Sequence, residues 1–103
     1  KRINKFVLKK GMIVSNEPGY YKDNKYGIRI ENLLLVKLSK YKGFLEFDDL
    51  TLFPYERNLI DIEMLSNRQI IWINEYHEKV YKKLGKYLSE ETKSWLYKKT
   101  RKI

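Results

Sequence analysis

The apolar positions near the start of the chain follow the two-residue period of β-strands. Residues 12–15 form a short apolar run. Residues 26–36 form a second run, in which apolar side chains alternate with Arg29 and Glu31. Successive side chains of a strand point to opposite faces, so we expect Arg29 and Glu31 to share one face. A polar tip at residues 22–25 joins the two runs, and the pattern therefore predicts a long antiparallel hairpin.

Three further signals divide the first half of the chain. Pro18 and Gly19 together predict a turn. The composition shifts near Gly43, which is the expected boundary between two segments. Residues 50–53 predict another strand, and Pro54 directly after them indicates that this strand lies at a sheet edge.

After residue 66 the apolar period changes to that of an α-helix. Ser66 and Gln69 form the S-x-x-Q capping box that begins many helices, and Gly85 marks the expected end. The residues at helical spacing between them are Ile70, Ile73, His77, Val80 and Leu84. Ser89 predicts the start of a second helix. Strands followed by helices predict an α+β fold.

The composition supports a folded core. The chain has 103 residues, of which 43% are hydrophobic and 15% aromatic, and this excludes a disordered chain. Its length allows at most one small domain. Trp72 and Trp95 fall at helical spacing, and we expect them to pack in the core together with Leu96.

The net charge of +9 raises the question of a nucleic-acid partner. From Lys79 to the end, Lys and Arg greatly outnumber acidic residues, but nearly all of them are Lys. Lysine is a strongly hydrated point charge and lacks the bidentate fork by which arginine reads bases. The pattern favours a solvated basic surface, and a nucleic-acid-binding module is the competing hypothesis.

Cysteine content and hydropathy exclude several other classes of protein. The chain has no cysteine, which excludes disulfides and thiolate metal sites and fits a reducing compartment. We therefore expect a cytoplasmic protein. No apolar run approaches the roughly 20 residues of a membrane span. The chain starts without Met, and we expect it to be a segment of a longer protein.

Glu17 and Glu31 are the candidate functional residues, because each is a carboxylate within an otherwise apolar, strand-like stretch. We expect both to be buried, and a buried charge needs a partner. Pattern alone favours an ion pair between Arg29 and Glu31, with Glu17 accepting backbone N–H bonds at the turn. The alternative is that the two carboxylates converge on a hard divalent cation such as Mn²⁺, Mg²⁺ or Zn²⁺.

The two glutamate segments, residues 12–21 and 26–32, resemble the C-terminal end of the catalytic domain of Xaa-Pro aminopeptidases (aminopeptidase P). These enzymes are dinuclear metallopeptidases of the pita-bread fold. The resemblance continues into the C-terminal extension of the longer members, at residues 50–54, 59–61, 72–77 and 95–96, with Thr100. It implies that residues 1–43 form the end of a pita-bread catalytic domain, with antiparallel strands. Residues 44–103 would then form a two-helix extension.

The resemblance also implies a site. In this family two Asp, one His and two Glu bind the metal ions. Glu17 would bind one ion and Glu31 would bridge both, while Arg29 orients the carboxylates through charge-assisted hydrogen bonds. The implied cofactors are two divalent ions, with Mn²⁺ first and Zn²⁺ or Co²⁺ as the other options. The implied reaction removes the N-terminal residue from a peptide that has proline in the second position.

The remaining family ligands lie upstream of the matched region. His77 lies within the extension, where we expect it to pack in a helix and not to bind metal. We therefore predict that this chain has no catalytic residue of its own and is inactive alone. Its expected partners are an upstream catalytic segment and a second copy bound through residues 44–103. The alternative is a catalytically inactive remnant, or an association subunit of a split gene.

Overall fold

The computed structural model describes residues 6–103, so the first five residues of the predicted 1–43 segment lie outside the described residues. The chain divides into two units, one ending at Thr51 and the other formed by Leu52–Ile103. Gly43 lies within the first of these units, in the loop between two paired strands.

Paired strands make up the first unit. Within residues 6–51 the strands are β1 (Ile13–Asn16), β2 (Gly19–Lys22), β3 (Tyr26–Arg29), β4 (Asn32–Leu38) and β5 (Leu45–Asp49). One antiparallel sheet has the order β1-β4-β5, and β2 and β3 form a separate pair. The predicted hairpin is confirmed, because β1 and β2 form its first limb and β3 and β4 form its second.

Pro18 interrupts this hairpin without changing its register. The pairing of β1 with β4 and that of β2 with β3, which begins with Gly19 opposite Arg29, belong to one continuous alignment. The N–H of Ile30 donates to the carbonyl of Pro18 at 3.0 Å. Proline has no N–H to return, so the ladder loses one bond at this point. The turn predicted at Pro18 and Gly19 is therefore wrong, since the chain continues there as an extended limb.

The middle strand, β4, carries the buried residues of the first unit. Val36 is only 1% exposed. Asn32 is also buried, and its side-chain nitrogen donates to Oδ1 of Asp49 on β5 at 3.0 Å. Large apolar side chains elsewhere in these strands, such as Leu33 and Phe47, are about half exposed. The first unit is thus held mainly by its ladders and by the centre of one sheet.

Two helices form most of the second unit, α1 (Asn67–Leu84) and α2 (Glu90–Lys99), and both were predicted. The capping box of α1 is present: Gln69 N–H donates to Ser66 Oγ at 3.4 Å, and Ser66 N–H donates to Gln69 Oε1 at 2.8 Å. Ser89 caps α2 with its hydroxyl. Within residues 6–103 no helix is long and apolar enough to cross a membrane.

An irregular segment before α1 is tied to that helix through side chains. The strand predicted at residues 50–53 is wrong. The hydroxyl of Tyr76 donates to the carbonyl of Phe53 at 3.1 Å and accepts from its N–H at 3.3 Å. The N–H of Tyr55 donates to Nε2 of His77 at 3.1 Å. The N–H of Leu50 still donates to the carbonyl of Leu33 on β4 at 2.9 Å, but the backbone of Phe53 and Tyr55 bonds to side chains of α1. The short 3₁₀ turns of this unit are Arg57–Leu59, Ile62–Met64 and Gly85–Tyr87.

The core of the second unit joins α1 to α2. Tyr76, Val80 and Leu96 are buried together, none more than 3% exposed. The core prediction for the two tryptophans is wrong, because Trp72 is 49% and Trp95 45% exposed. Trp72 stacks on Tyr76 with ring centroids 5.8 Å apart. One face of this indole thus covers the core, and the rest is in contact with solvent.

We expect Leu96→Ala to lower the free energy of unfolding of the second unit by about 2–5 kcal/mol, because it leaves a cavity at a site that is 2% exposed. The matched control is Leu59→Ala, at a site that is 75% exposed, where the change should stay within about 0.5 kcal/mol. Urea denaturation followed by tryptophan fluorescence measures both, because Trp72 and Trp95 lie in this unit. Equal midpoints for the two variants would contradict the assigned core.

Candidate metal centre

Glu17 and Glu31 face each other across the hairpin, at the break between its two ladders. Glu17 directly follows β1, and Glu31 directly precedes β4. The common register of the flanking ladders aligns these two positions. The neighbouring pair, Pro18 and Ile30, carries a ladder hydrogen bond. Bonded and non-bonded pairs alternate, so the glutamates occupy a non-bonded pair, where Cα atoms lie about 4.5 Å apart and side chains approach most closely.

Arg29 lies between the two carboxylates. Its Nε is 3.9 Å from Oε1 of Glu17, and its Nη2 is 3.6 Å from Oε2 of Glu31. Directly opposed like charges destabilise a strand pair, and the guanidinium compensates both of them. The expected pairing of Arg29 with Glu31 is confirmed. Both distances exceed the limit of about 3.2 Å for an N–H···O hydrogen bond, so these contacts are ion pairs.

The expected burial of the two glutamates is wrong for this chain. The exposed fraction of the side chain is 41% for Glu17 and 45% for Glu31, and Arg29 is 53% exposed. Strands β1, β2 and β3 consist almost entirely of exposed positions, and the buried residues of the adjoining sheet lie on β4, at Asn32 and Val36. The carboxylates therefore meet their partners at a solvent-accessible surface, where an ion pair contributes at most about 1 kcal/mol.

Ser15 is a site residue that the sequence analysis missed. Its hydroxyl donates to Oε2 of Glu17 at 2.8 Å. The expected backbone N–H bonds to Glu17 are not found within residues 6–103, and this hydroxyl takes their place. The signal was available in the chain, since Ser15 precedes Glu17 by two positions on an extended strand and must share its face.

Tyr21 is a second residue without a predicted role, and the position of its ring explains why two residues beside the site are glycines. A Cβ at Gly19 would lie 2.7 Å from the Tyr21 hydroxyl oxygen, and one at Gly27 would lie 2.6 Å from Cδ1 of the same ring. Gly27 is the residue paired with Tyr21 in the ladder. The ring therefore lies flat over both glycines, on the face that carries Glu17 and Arg29.

The two glutamates could supply part of a metal-ligand set, but not a whole one. Carboxylate oxygens suit hard divalent ions, and the facing pair could contact a common ion. A two-metal centre needs several ligands for each ion. In the part of the chain that the structure describes, no group of three or more His, Asp or Glu could hold a metal ion. The donor set therefore fits a metal only when further ligands come from elsewhere.

His77 lies in the core of the second unit and is fully buried. Its Nε2 accepts the Tyr55 N–H, so the neutral ring carries its proton on Nδ1, and that atom has no hydrogen-bond partner within residues 6–103. Burial, with a smaller contribution from the charge of Arg57, lowers the pKa of His77 below its ordinary value of 6.5. The predicted helix-packing role is confirmed by this burial.

Comparison with known proteins identifies the class of protein. The model of metallopeptidase family M24 matches residues 1–37, and the model of the C-terminal region of that family matches residues 43–103. A protein of Coprinopsis cinerea named "Probable Xaa-Pro aminopeptidase P" is 42% identical over 97% of this chain and 17% of its own length. Aminopeptidase P2 of Arabidopsis thaliana is 42% identical over 97% of this chain and 15% of its own length.

A solved structure leads to the same family. The X-prolyl aminopeptidase of Caenorhabditis elegans, described as a cytosolic enzyme with a di-nuclear active site, matches with a TM-score of 0.89 and 32% identity. The match covers all of this chain and 18% of that enzyme. The chain belongs to metallopeptidase family M24, and its predicted resemblance to aminopeptidase P is confirmed. Its α+β fold class, as part of a pita-bread fold, is confirmed as well. The chain spans only 15–18% of the length of these relatives.

We expect the stability of the second unit to fall as the pH drops below about 6.5, because of His77. Above that pH the ring is neutral in the folded and unfolded chain and adds no pH dependence. Below it the unfolded chain binds a proton that the folded chain, with its lowered pKa, does not. The free energy of unfolding should therefore fall by up to about 1.4 kcal/mol per pH unit, until the pH reaches the folded pKa.

The measurement is urea denaturation at several pH values between about 7 and 5, compared with His77→Gln. Glutamine can still accept the Tyr55 N–H but does not titrate. Carboxylates titrate in both proteins, so the difference in slope isolates His77. Parallel pH profiles would contradict the assignment of a buried, neutral ring.

Proposed function

We propose that this chain forms the C-terminal part of an Xaa-Pro aminopeptidase and supplies Glu17 and Glu31 to its dinuclear metal site. In this proposal Glu17 would hold one ion and Glu31 would hold both, and the remaining ligands would come from an upstream catalytic segment. Residues 1–43 complete the catalytic domain, and residues 44–103 form the C-terminal extension. The chain holds no catalytic residue of its own.

The supporting observation is the direct opposition of the two carboxylates in a non-bonded strand pair. A hairpin of ordinary stability does not need two glutamates opposite each other, because like charges at such a pair are destabilising. Arg29 reduces that cost by pairing with both carboxylates at 3.9 and 3.6 Å. The pair is thus held close in a geometry that suits shared ligation of divalent ions.

Each side chain has a distinct part in this proposal. Two divalent ions, when bound, act as Lewis acids toward the peptide carbonyl and supply the charge stabilisation of the reaction. Glu17 and Glu31 hold the ions in place, and Arg29 keeps the two carboxylates together before metal arrives. The oxygen donors favour hard ions, and Mn²⁺ is our first choice, ahead of Zn²⁺ and Co²⁺.

The substrate, location and assembly follow the relatives. We propose a peptide with proline in the second position, as the names of the relatives indicate. We propose a cytoplasmic location, like that of the C. elegans enzyme. We also propose a homodimer formed through residues 44–103, where Ile71 and Trp72 are 57% and 49% exposed and offer apolar area for contact.

The central test joins the chain to, or co-expresses it with, the upstream segment of an aminopeptidase P relative. We expect release of the N-terminal residue from an Xaa-Pro peptide in the presence of Mn²⁺, and two bound ions per enzyme by elemental analysis. Loss of an outer partner of a metal ligand typically costs about 10–100-fold, so loss of a ligand itself should cost more than about 100-fold. Glu17→Gln and Glu31→Gln should both reach that range.

Glu46→Gln is the matched control, since it makes the same chemical change on β5, where Glu46 pairs with Lys37 at 3.3 Å. It should leave the metal content and activity unchanged. The two site variants should also differ from each other, because a bridging Glu31 affects both ions and Glu17 only one. Full metal content in Glu31→Gln would refute the proposed ligation. An assembled enzyme that binds no metal would favour the inactive remnant.

A further inference from the structure

The two oxygens of Glu17 have different partners. Oε1 faces the guanidinium of Arg29 at 3.9 Å, while Oε2 accepts the hydroxyl of Ser15 at 2.8 Å. The second contact lies well within the range of about 2.5–3.0 Å for an O–H···O hydrogen bond, and the first does not reach hydrogen-bond length. Ser15, and not Arg29, is therefore the group that determines the orientation of this carboxylate.

The strand geometry places Ser15 next to Glu17 through their spacing of two positions. Ser15 belongs to β1, and Glu17 follows β1 directly in the same extended run. Side chains two positions apart on an extended chain lie on one face. The short serine side chain reaches its neighbour without a long flexible stem, so little rotamer entropy is lost when the bond forms.

The two glutamates differ in the groups that orient their carboxylates. Within residues 6–103, Glu31 forms an ion pair with Arg29 at 3.6 Å, and no hydrogen bond orients its carboxylate. Glu17 has both an ion pair and a hydrogen bond. A carboxylate has about four lone-pair positions, so the Ser15 bond leaves Glu17 free to bind an ion with the remaining ones.

We propose that Ser15 is a positioning residue that pre-orients the Glu17 carboxylate for the metal ion bound by Glu17. This inference rests on the proposed function and adds to it a residue that orients the Glu17 carboxylate. The hydroxyl donates a hydrogen bond to Oε2, which leaves Oε1 and the other lone pairs of the carboxylate for the ion and for Arg29. Without the hydroxyl, only the longer ion pair with Arg29 restrains the carboxylate, and its rotation must be restricted further when the ion binds.

Ser15→Thr and Ser15→Val provide a matched pair of variants. Both new side chains are β-branched, favour strands and have nearly the same shape, but only threonine keeps the hydroxyl. The difference between them therefore isolates the hydrogen bond from packing and strand propensity. Ser15→Val should lower the affinity for the ion at Glu17 by about 10–100-fold, as is typical for the loss of a group that orients a metal ligand. Ser15→Thr should restore the affinity to near that of the parent.

The measurement is Mn²⁺ titration of the metal-free assembled enzyme, with free Mn²⁺ followed by electron paramagnetic resonance so that two binding steps are resolved. A positioning role predicts that Ser15→Val weakens one step much more than the other. A general structural role would weaken both steps and would also lower the melting temperature of the metal-free protein. Equal melting temperatures for the Thr and Val variants are therefore part of the expected result.

Glu17→Gln separates this inference from the proposal on which it rests. If Glu17→Gln leaves both Mn²⁺ binding steps unchanged, the proposed ligation fails. If Glu17→Gln weakens one step but the Thr and Val variants bind Mn²⁺ equally well, Ser15 has no positioning role and the proposed ligation stands. Selective weakening in Ser15→Val, with recovery in Ser15→Thr, supports both.

Discussion

The first unit depends on one constraint, which is that the hairpin keeps a single register through Pro18. Proline removes one ladder bond, and the return bond from Ile30 to the Pro18 carbonyl keeps the two limbs aligned. A slip by one residue would send every side chain to the opposite face. The facing of Glu17 and Glu31, and their shared contact with Arg29, follow from this alignment. The interruption thus lies beside the site without disturbing it.

The second unit depends on a different interaction, in which side chains of α1 form hydrogen bonds with the backbone of the irregular segment before that helix. The Tyr76 hydroxyl bonds to both polar groups of Phe53, and His77 accepts the N–H of Tyr55. These backbone groups lie outside the strands, and two adjacent helical residues provide their hydrogen bonds. His77 is neutral and buried for this reason, with its pKa lowered. The lone histidine of the chain therefore serves the fold of the second unit.

The elements that depend on local chemistry were predicted well. The capping box at Ser66, the cap at Ser89 and the polar tip of the hairpin each involve residues within a few positions of one another. The strand at residues 50–53 was predicted wrongly, because backbone bonding to β4 ends with the Leu50 N–H, and the backbone of Phe53 bonds to Tyr76, 23 positions away on α1. Trp72 and Trp95 were placed in the core by helical spacing alone, but spacing does not reveal how much of a broad indole its neighbours cover.

The sequence by itself determined the family, the two helices with their caps, and the choice of Glu17 and Glu31 as the residues of interest. These follow from residue identity and from short spacings. The tertiary structure alone decided that the two glutamates are exposed and that Arg29 contacts both at ion-pair distance. Such facts depend on the register of two limbs and on side-chain rotation, and local spacing constrains neither of them.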